Sequence, residues 1–289
     1  MNSGKKSIVG LVLGGKTGLL GRALAEVLRA AGWEIDAPGR DELEVGDLSA
    51  LEGRLAGTGP DFVFNAVGYT KVDQAEDEPE QAMALNRDLP AALGRLSLIH
   101  GFGLVHYSTD YVFDGKKQSP YEPVDLPNPL SFYGLTKLAG ERAVLEANPG
   151  NSWLIRSAWL FGPGRANFVT KIIAAARERG EVRVVADQTG SPTHTLDLAR
   201  LSLDLVQLGA PGVYHVVNDG RATWHELAAA AIGLAGIEAR VVPIETGQYP
   251  VKAVRPAFSV LGVDRLSRVL GRRPRPWREA LAGYVASLG

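Results

Sequence analysis

Over roughly the first half of the chain, short aliphatic and β-branched runs alternate with longer stretches whose apolar positions recur every three or four residues. Ile8-Val9-Gly10-Leu11-Val12-Leu13 predicts a buried strand. Gly21 to Ala31 predicts a helix with Ala23, Leu24, Val27, Leu28 and Ala31 on one face. Gly32 ends that helix, and Trp33 to Ala37 predicts a second strand. Leu48 to Leu55 reads as helix and Asp61 to Val67 as a third buried strand. Glu78 to Ile99 reads as a long helical region interrupted near Pro90, and Gly103 to Ser108 as another strand. Strands alternating with helices imply βαβ units, and so a parallel sheet covered on both faces. Right-handed crossovers then give an α/β, doubly wound sheet.

From about Asn167 the alternation loosens. Val182 to Ala186, Gly212 to Val217 and Ala239 to Pro243 are strand candidates among helices. Asp187 to Thr193, Thr246 to Pro256 and Arg272 to Pro276 read as loops. The expected organisation is a main doubly wound domain over 1–166 and a smaller mixed α/β region over 167–289, with some of its segments returning to the first domain. There is no internal repeat and no low-complexity tract.

Composition narrows the function classes. The 289 residues carry a formal net charge of -1, with 31 Lys and Arg against 32 Asp and Glu. No global positive field therefore attracts nucleic acid or an anionic membrane. The absence of cysteine excludes disulfides, thiolate metal sites and a cysteine nucleophile. Met1 to Ser7 is short and polar, and the apolar run behind it is too short for a signal segment or a membrane span. The expectation is a cytoplasmic enzyme.

Gly15-Lys16-Thr17-Gly18-Leu19-Leu20-Gly21 lies between the first strand and the first helix. Glycines at that spacing permit a tight turn, let backbone N–H groups approach a pyrophosphate and let the helix pack on the strand. The stretch Gly10 to Thr17 also satisfies the phosphate-loop pattern of NTPases. That reading fails because Leu11, Val12 and Leu13 are needed to build the buried strand. A carboxylate closing the second strand would bind the ribose 2′-hydroxyl of NAD. Here the strand runs into Ala37-Pro38-Gly39-Arg40, and Arg40, with Lys16 beside it, is placed to meet the 2′-phosphate of NADP. Asp36 is the competing choice, so NADPH is expected and NADH remains open.

Tyr133 and Lys137 are four residues apart and share one face of a helix. A phenol with a pKa near 10 is a poor acid–base group at neutral pH. A nearby ammonium favours the phenolate and lowers that value. Ser108 and Thr109 close a parallel strand, where a hydroxyl can reach a substrate carbonyl alongside Tyr133. Such a set polarises a carbonyl for hydride attack, with Tyr133 supplying the proton.

With these motifs the chain resembles the extended short-chain dehydrogenase/reductases, which are Rossmann-like, and within them the dTDP-4-dehydrorhamnose reductase family. The stretches that carry the resemblance run nearly from end to end. They are Gly15 to Gly21, Asn65 to Glu76, Ser108 to Gly115, Tyr133 to Lys137, Arg156 to Trp159, Asp187 to Thr193 and Arg255-Pro256. The resemblance implies that Gly15, Lys16, Gly18, Leu19, Leu20 and Gly21 hold the dinucleotide and that Asp47 and Leu48 lie by its adenine. It places Gly68, Tyr69, Thr70 and Tyr107 on the nicotinamide side. Tyr133 would be the proton donor, Lys137 would hold the nicotinamide ribose, Thr109 and Asp110 would meet the sugar, and Trp159 would pack on the sugar nucleotide.

The implied reaction is reduction of the C4 keto group of a nucleotide-linked deoxysugar by NADPH. A dehydratase on this fold needs an Asp-Glu pair directly after the threonine, and Tyr111 stands where the glutamate would be. Sugar epimerases carry small residues there. A different class is a non-catalytic NADP-binding regulatory subunit like that of methionine adenosyltransferase, which retention of Thr109, Tyr133 and Lys137 weighs against. Some relatives dimerise around magnesium held by carboxylates near the first helix. Gly21 to Ala25 offers none, and hard cations need several converging oxygens. The expectation is therefore no metal site, and a monomer or a magnesium-independent dimer.

Overall fold

β1, Val9–Leu13, forms where five successive residues carry no polar side chain, and its alternate residues serve opposite faces of one sheet. Val12 buries against the cluster formed with α1, and Leu11 and Leu13 bury in the cluster on the other face. The protein was analysed as a computed structural model that describes residues 7–289. Of the polar N-terminal stretch read in the sequence, residues 1–6 lie outside the described residues.

The chain continues through α1 (Leu19–Ala30), β2 (Glu34–Asp36), α2 (Leu48–Thr58), β3 (Phe62–Asn65), α3 (Pro79–Met83) and α4 (Leu89–His100). Next come β4 (Gly103–Thr109), α5 (Phe132–Ala147) and β5 (Ser152–Ser157). The second half runs β6 (Leu160–Phe161), α6 (Phe168–Arg179), β7 (Glu181–Val185), β8 (Thr189–Gly190), β9 (Thr193–His194), α7 (Thr195–Gln207) and β10 (Gly212–His215). It closes with β11 (Ala222–Thr223), α8 (Trp224–Leu234), β12 (Arg240–Ile244), α9 (Asp264–Leu270) and α10 (Trp277–Ala286).

The main sheet is parallel in the order β10-β5-β4-β3-β1-β2. Strand order reverses at β1, whose neighbours are β2 on one side and β3 on the other, and ligands bind such sheets at the carboxyl ends beside that reversal. On one face, Leu24 and Leu28 of α1 meet Leu198, Leu201 and Leu205 of α7 over Val12, Phe64, Val105 and Ile155. On the other, Leu51 and Leu55 of α2, Leu89 and Leu93 of α4 and Val144 of α5 cover Leu11, Val63 and Leu104. Each fully buried leucine contributes about 2 kcal/mol of transfer free energy.

Residues after 166 divide between two bodies. β10 extends the main sheet beside β5, and α7 and α9 pack on its face. α6, α8 and α10 form a separate core around Val169, Ile173, Leu227 and Leu281, flanked by the parallel pair β7–β12.

Two local departures from the sequence reading matter for the site. α1 starts two residues before Gly21, because Gly18 takes the N-cap and its carbonyl accepts from Arg22 N–H. The break in the long helical region is a π turn at Ala84–Asp88, just ahead of Pro90. Proline has no N–H to return to the carbonyl four residues back, which here is that of Asn86. Gly140 of α5 presses against that carbonyl so closely that a Cβ would lie 2.0 Å from it.

Candidate active site

The glycine turn is built around Gly14, one residue ahead of the expected motif. Gly14 has φ +83°, in the left-handed region that glycine tolerates, and its carbonyl accepts from Gly18 N–H at 2.9 Å. A Cβ at Gly21 would stand 2.1 Å from the Gly14 oxygen, and one at Gly15 would stand 2.7 Å from the Ala37 Cβ. Gly10 to Leu13 lie in β1, so the NTPase reading has no loop to occupy. No side chain caps α1 and no acidic residue stands in its first turn. The positive end of that helix is thus left for an anion, and this donor set fits a dinucleotide pyrophosphate.

At the adenosine end, Asp36 is engaged. Arg54 donates Nε–H and Nη2–H to its two carboxylate oxygens at 2.6 and 2.5 Å, and the Thr58 hydroxyl adds a third hydrogen bond. The guanidinium holds the Asp36 carboxyl below the usual carboxylate range. Lys16 runs across Gly39, where a Cβ would sit 2.6 Å from its Cδ, and its ammonium lies between Asp41 and Glu42. Arg40 is exposed and forms no ion pair among the described residues. Asp47 caps α2 by accepting from Ala50 N–H, and Leu48 is exposed beside it.

Past β3, the turn at Gly68-Tyr69-Thr70 is clamped by Asn86. Its side-chain oxygen accepts from Tyr69 N–H at 2.8 Å, and its amide donates to the Tyr69 carbonyl and to Thr136 Oγ1. A Cβ on Gly68 would lie 3.9 Å from Lys137 Nζ, so this turn borders Lys137, and Thr70 is exposed. Tyr69 donates its hydroxyl proton to Glu78, and burial with that carboxylate pushes the phenol up to about 12.

Tyr133 and Lys137 lie in the first turns of α5. The N-terminus of α5 is held twice: Ser131 Oγ accepts from Gly134 N–H, and Glu76 accepts from Phe132 N–H at 2.9 Å. Gly134 allows α5 to approach the turn after β4, since a Cβ there would be 2.2 Å from the Tyr111 carbonyl. The Tyr111 and Tyr133 rings meet edge to face at 5.6 Å.

The Tyr133 phenol is shifted upward here, not downward as expected from a neighbouring ammonium. Burial pushes it up to about 12, with the Thr109 hydroxyl pulling down and the Asp110 charge pushing up. The Lys137 ammonium donates to the Tyr107 carbonyl at 2.6 Å, and burial lowers its pKa to about 8. Tyr107 offers that carbonyl to the site while its ring is buried in the cluster with α1 and α7.

Thr109 Oγ1 accepts from Tyr111 N–H at 3.2 Å and donates to Asp110 Oδ1 at 3.0 Å. Asp110 is only 2% exposed, and its other oxygen accepts from Ser259 Oγ at 2.5 Å. The Ser108 hydroxyl is buried with no partner among the described residues.

The segment that delivers Ser259 was read only as a loop and an Arg-Pro pair. Arg255 forms a two-pronged ion pair with Asp73 at 3.0 and 2.7 Å, and the same carboxylate accepts from the N–H groups of Lys252 and Ala253. These partners hold the Asp73 carboxyl down at about 2. Pro256 packs over Gly115, where a Cβ would be 2.8 Å from its ring. Asp73 and Glu76, three positions apart in one motif, therefore tie down the strap at 252–259 and the start of α5.

Trp159 follows β5 and is, among the described residues, the sole non-glycine with positive φ, at 49°. Such strain persists where surrounding contacts enforce it. Its ring stacks on Trp224 at 3.6 Å and 8°, and Gly190 crowds it so that a Cβ would come within 2.5 Å. Trp224, which begins α8 and also meets Phe168, went unremarked in the sequence because a lone aromatic at a helix start carries no periodic signal.

Among the described residues no group of three or more His, Asp or Glu converges as a metal cluster, and no helix is long and apolar enough to cross a membrane. Residues 9–289 match the family model described as the RmlD substrate binding domain. The chain is 41% identical to a dTDP-4-dehydrorhamnose reductase of Streptomyces griseus, covering 95% of this chain and 92% of the relative. It is 36% identical to a dTDP-4-keto-6-deoxy-D-glucose reductase of Streptomyces niveus, covering 92% and 93%. Among solved structures it resembles dTDP-4-dehydrorhamnose reductase from Bacillus anthracis in complex with NADP, with a TM-score of 0.93, 32% identity and coverage of 97% and 99%.

Proposed function

Because the chain belongs to the RmlD substrate binding domain family, we propose that it is an NADP-dependent oxidoreductase that reduces the C4 keto group of a nucleotide-linked deoxysugar. The substrate that fits the relatives best is dTDP-4-dehydro-L-rhamnose, giving dTDP-L-rhamnose. The observation that carries this reading is the convergence of Tyr133, Thr109 and buried Lys137 at the end of β4, with the uncapped start of α1 following β1 of the same parallel sheet.

The protein's own residues divide the work. The N-terminus of α1 receives the pyrophosphate, with Leu19 and Leu20 offering N–H groups of the first turn. Lys16 and Arg40 face the 2′-phosphate. Lys137 holds the nicotinamide ribose, and bound NADPH supplies the hydride. Tyr133 gives its proton to the carbonyl oxygen as charge develops there, and Thr109 steadies that oxygen from the strand side. Gly68 and Tyr69, fixed by Asn86, line the approach of the nicotinamide. Trp159, backed by Trp224, offers an apolar edge to the sugar nucleotide. The protein acts as a monomer or a dimer indifferent to magnesium.

NADPH oxidation measured against a panel of dTDP- and GDP-linked 4-keto-6-deoxysugars tests the reading. Turnover with the rhamnose precursor and little with the others supports it. Cofactor binding without turnover of any of them favours the regulatory-subunit alternative. Turnover confined to dTDP-4-keto-6-deoxy-D-glucose, the substrate named for the Streptomyces niveus relative, would reassign the sugar.

A further inference from the structure

Asp110 is a buried carboxylate that accepts from two hydroxyls and pairs with no cation among the described residues. Ser259 Oγ donates to its Oδ2 at 2.5 Å and Thr109 Oγ1 to its Oδ1 at 3.0 Å. Thr109 also accepts from Tyr111 N–H and lies against Tyr133. A hydroxyl has one proton to give. While Asp110 is ionised, that proton is committed to Oδ1, and Thr109 can only accept from whatever else it meets. When Asp110 is neutral its own O–H can donate to Thr109, and the Thr109 proton is released toward Tyr133 and the substrate.

Resting on the reductase reading above, we propose that Asp110 is a positioning residue whose charge decides whether Thr109 donates or accepts a hydrogen bond at the reacting carbonyl. Carbonyl reduction builds negative charge on oxygen, so a second donor beside Tyr133 stabilises the transition state. The proton transferred remains that of Tyr133; Thr109 lends only a hydrogen bond, and Asp110 keeps its proton.

The surroundings place this change of charge within a working pH range. Burial raises the Asp110 carboxyl to about 6, against the downward pull of Ser259 and Thr109. The groups facing it are the Tyr111 phenol on the turn after β4, the Tyr133 phenol on α5, and Ser259 on the strap. Arg255, near Tyr111, has its guanidinium paired with Asp73, and Lys137 is directed at the Tyr107 carbonyl.

The test compares wild type, Asp110→Asn and Ser259→Ala by the pH dependence of kcat in NADPH oxidation with the 4-keto sugar nucleotide. Wild-type kcat falls as pH rises through the Asp110 titration. Asparagine presents an N–H donor to Thr109 as the neutral acid does, so this fall disappears in Asp110→Asn. Removing the Ser259 donor disfavours the carboxylate, so in Ser259→Ala the fall moves to higher pH. Parallel profiles for wild type and Asp110→Asn overturn the proposal.

A second readout needs no substrate. The Tyr133 phenol, isolated as the ultraviolet difference from Tyr133→Phe, titrates at lower pH in Asp110→Asn than in wild type. In a Thr109→Val background that drop is smaller, because the hydroxyl that carries part of it is gone. An equal drop with and without the hydroxyl means that charge alone acts, and overturns the proposal. If no 4-keto sugar nucleotide is turned over while the phenol titrates as expected, the reductase reading falls and takes the carbonyl role with it, while the coupling of Asp110 to Tyr133 through Thr109 stands.

Discussion

The Asp36 carboxylate is paired with the Arg54 guanidinium through two hydrogen bonds, of 2.5 and 2.6 Å, one to each oxygen. A carboxylate held this way is engaged, as is the Lys16 ammonium between Asp41 and Glu42, so on the proposed reading Arg40 is, among the described residues, the free cation for the adenosine end. Arg40→Ala is expected to weaken NADPH by about tenfold to a hundredfold, the scale of one charged hydrogen bond, and to leave NADH nearly unaffected. Titration calorimetry with both cofactors checks this. Equal loss for the two makes Arg40 a bystander.

Tyr133→Phe is expected to lower kcat by roughly two to four orders of magnitude, the range for losing a general acid. NADPH affinity should stay near wild type, since the ring remains packed on Tyr111. Single-turnover NADPH oxidation alongside cofactor titration separates the two quantities, and undiminished turnover removes Tyr133 from the mechanism.

Lys137 leaves a thermodynamic signature. Its pKa is lowered by burial from 10.5 to about 8, so between those values the unfolded chain binds a proton that the folded chain has released. Stability therefore rises with pH through this window, and below about pH 8 the folded state carries the full cost of the buried ammonium. Compared with Lys137→Met, wild type should gain on the order of 3 kcal/mol between pH 8 and 10.5. Urea denaturation of both proteins across that range measures the difference. A constant gap would mean that the ammonium is better compensated than its surroundings indicate.

The pairing of Asp73 with Arg255 predicts a defect specific to substrate. In Asp73→Asn the strap at 252–259 loses its ionic anchor, while the glycine turn is untouched. KM for the sugar nucleotide should rise with little change in NADPH binding, and trypsin should cut after Lys252 sooner than in wild type. Unaltered proteolysis would show that the backbone hydrogen bonds of the strap suffice. Because Asp73 is held down at about 2, acid should reproduce the defect only as pH falls below the ordinary carboxylate range.

Gly140→Ala would drive a methyl group into the Asn86 carbonyl, since the Cβ would come within 2.0 Å of backbone oxygen. Overpacking of this kind costs about 1–3 kcal/mol. Asn86 also clamps the Gly68-Tyr69 turn, so cofactor affinity should fall together with the urea midpoint. A loss of stability with cofactor affinity intact would separate the clamp from the cofactor site.

Where the chemistry depends on near neighbours in sequence, the amino-acid order was sufficient. The apolar run of β1, the glycines before α1 and the spacing of Tyr133 and Lys137 are local facts, because strand and helix periodicity convert sequence separation directly into shared faces. They determined the parallel sheet, the anion-receiving helix end and the placing of a phenol and an ammonium on one helix face. They did not determine where the ammonium points. The Tyr107 carbonyl, thirty residues upstream, took that decision, and burial set both pKa values.

The remaining decisions were tertiary for the same reason. Asp36 meets Arg54 across the α2 crossover, Asp73 meets Arg255 at a separation of 182 residues, and Asp110 meets Ser259 at 149. No periodicity links such positions, and nothing in the chain order pairs Asp36 with Arg54, Asp73 with Arg255 or Asp110 with Ser259. The sequence by itself placed a phenol, an ammonium and a glycine turn at the ends of parallel strands. Only folding decided which carboxylate is spoken for, where the threonine proton is held and which loop lies beside them, because hydrogen bonds are made between atoms brought together in space and a chain order does not record that distance.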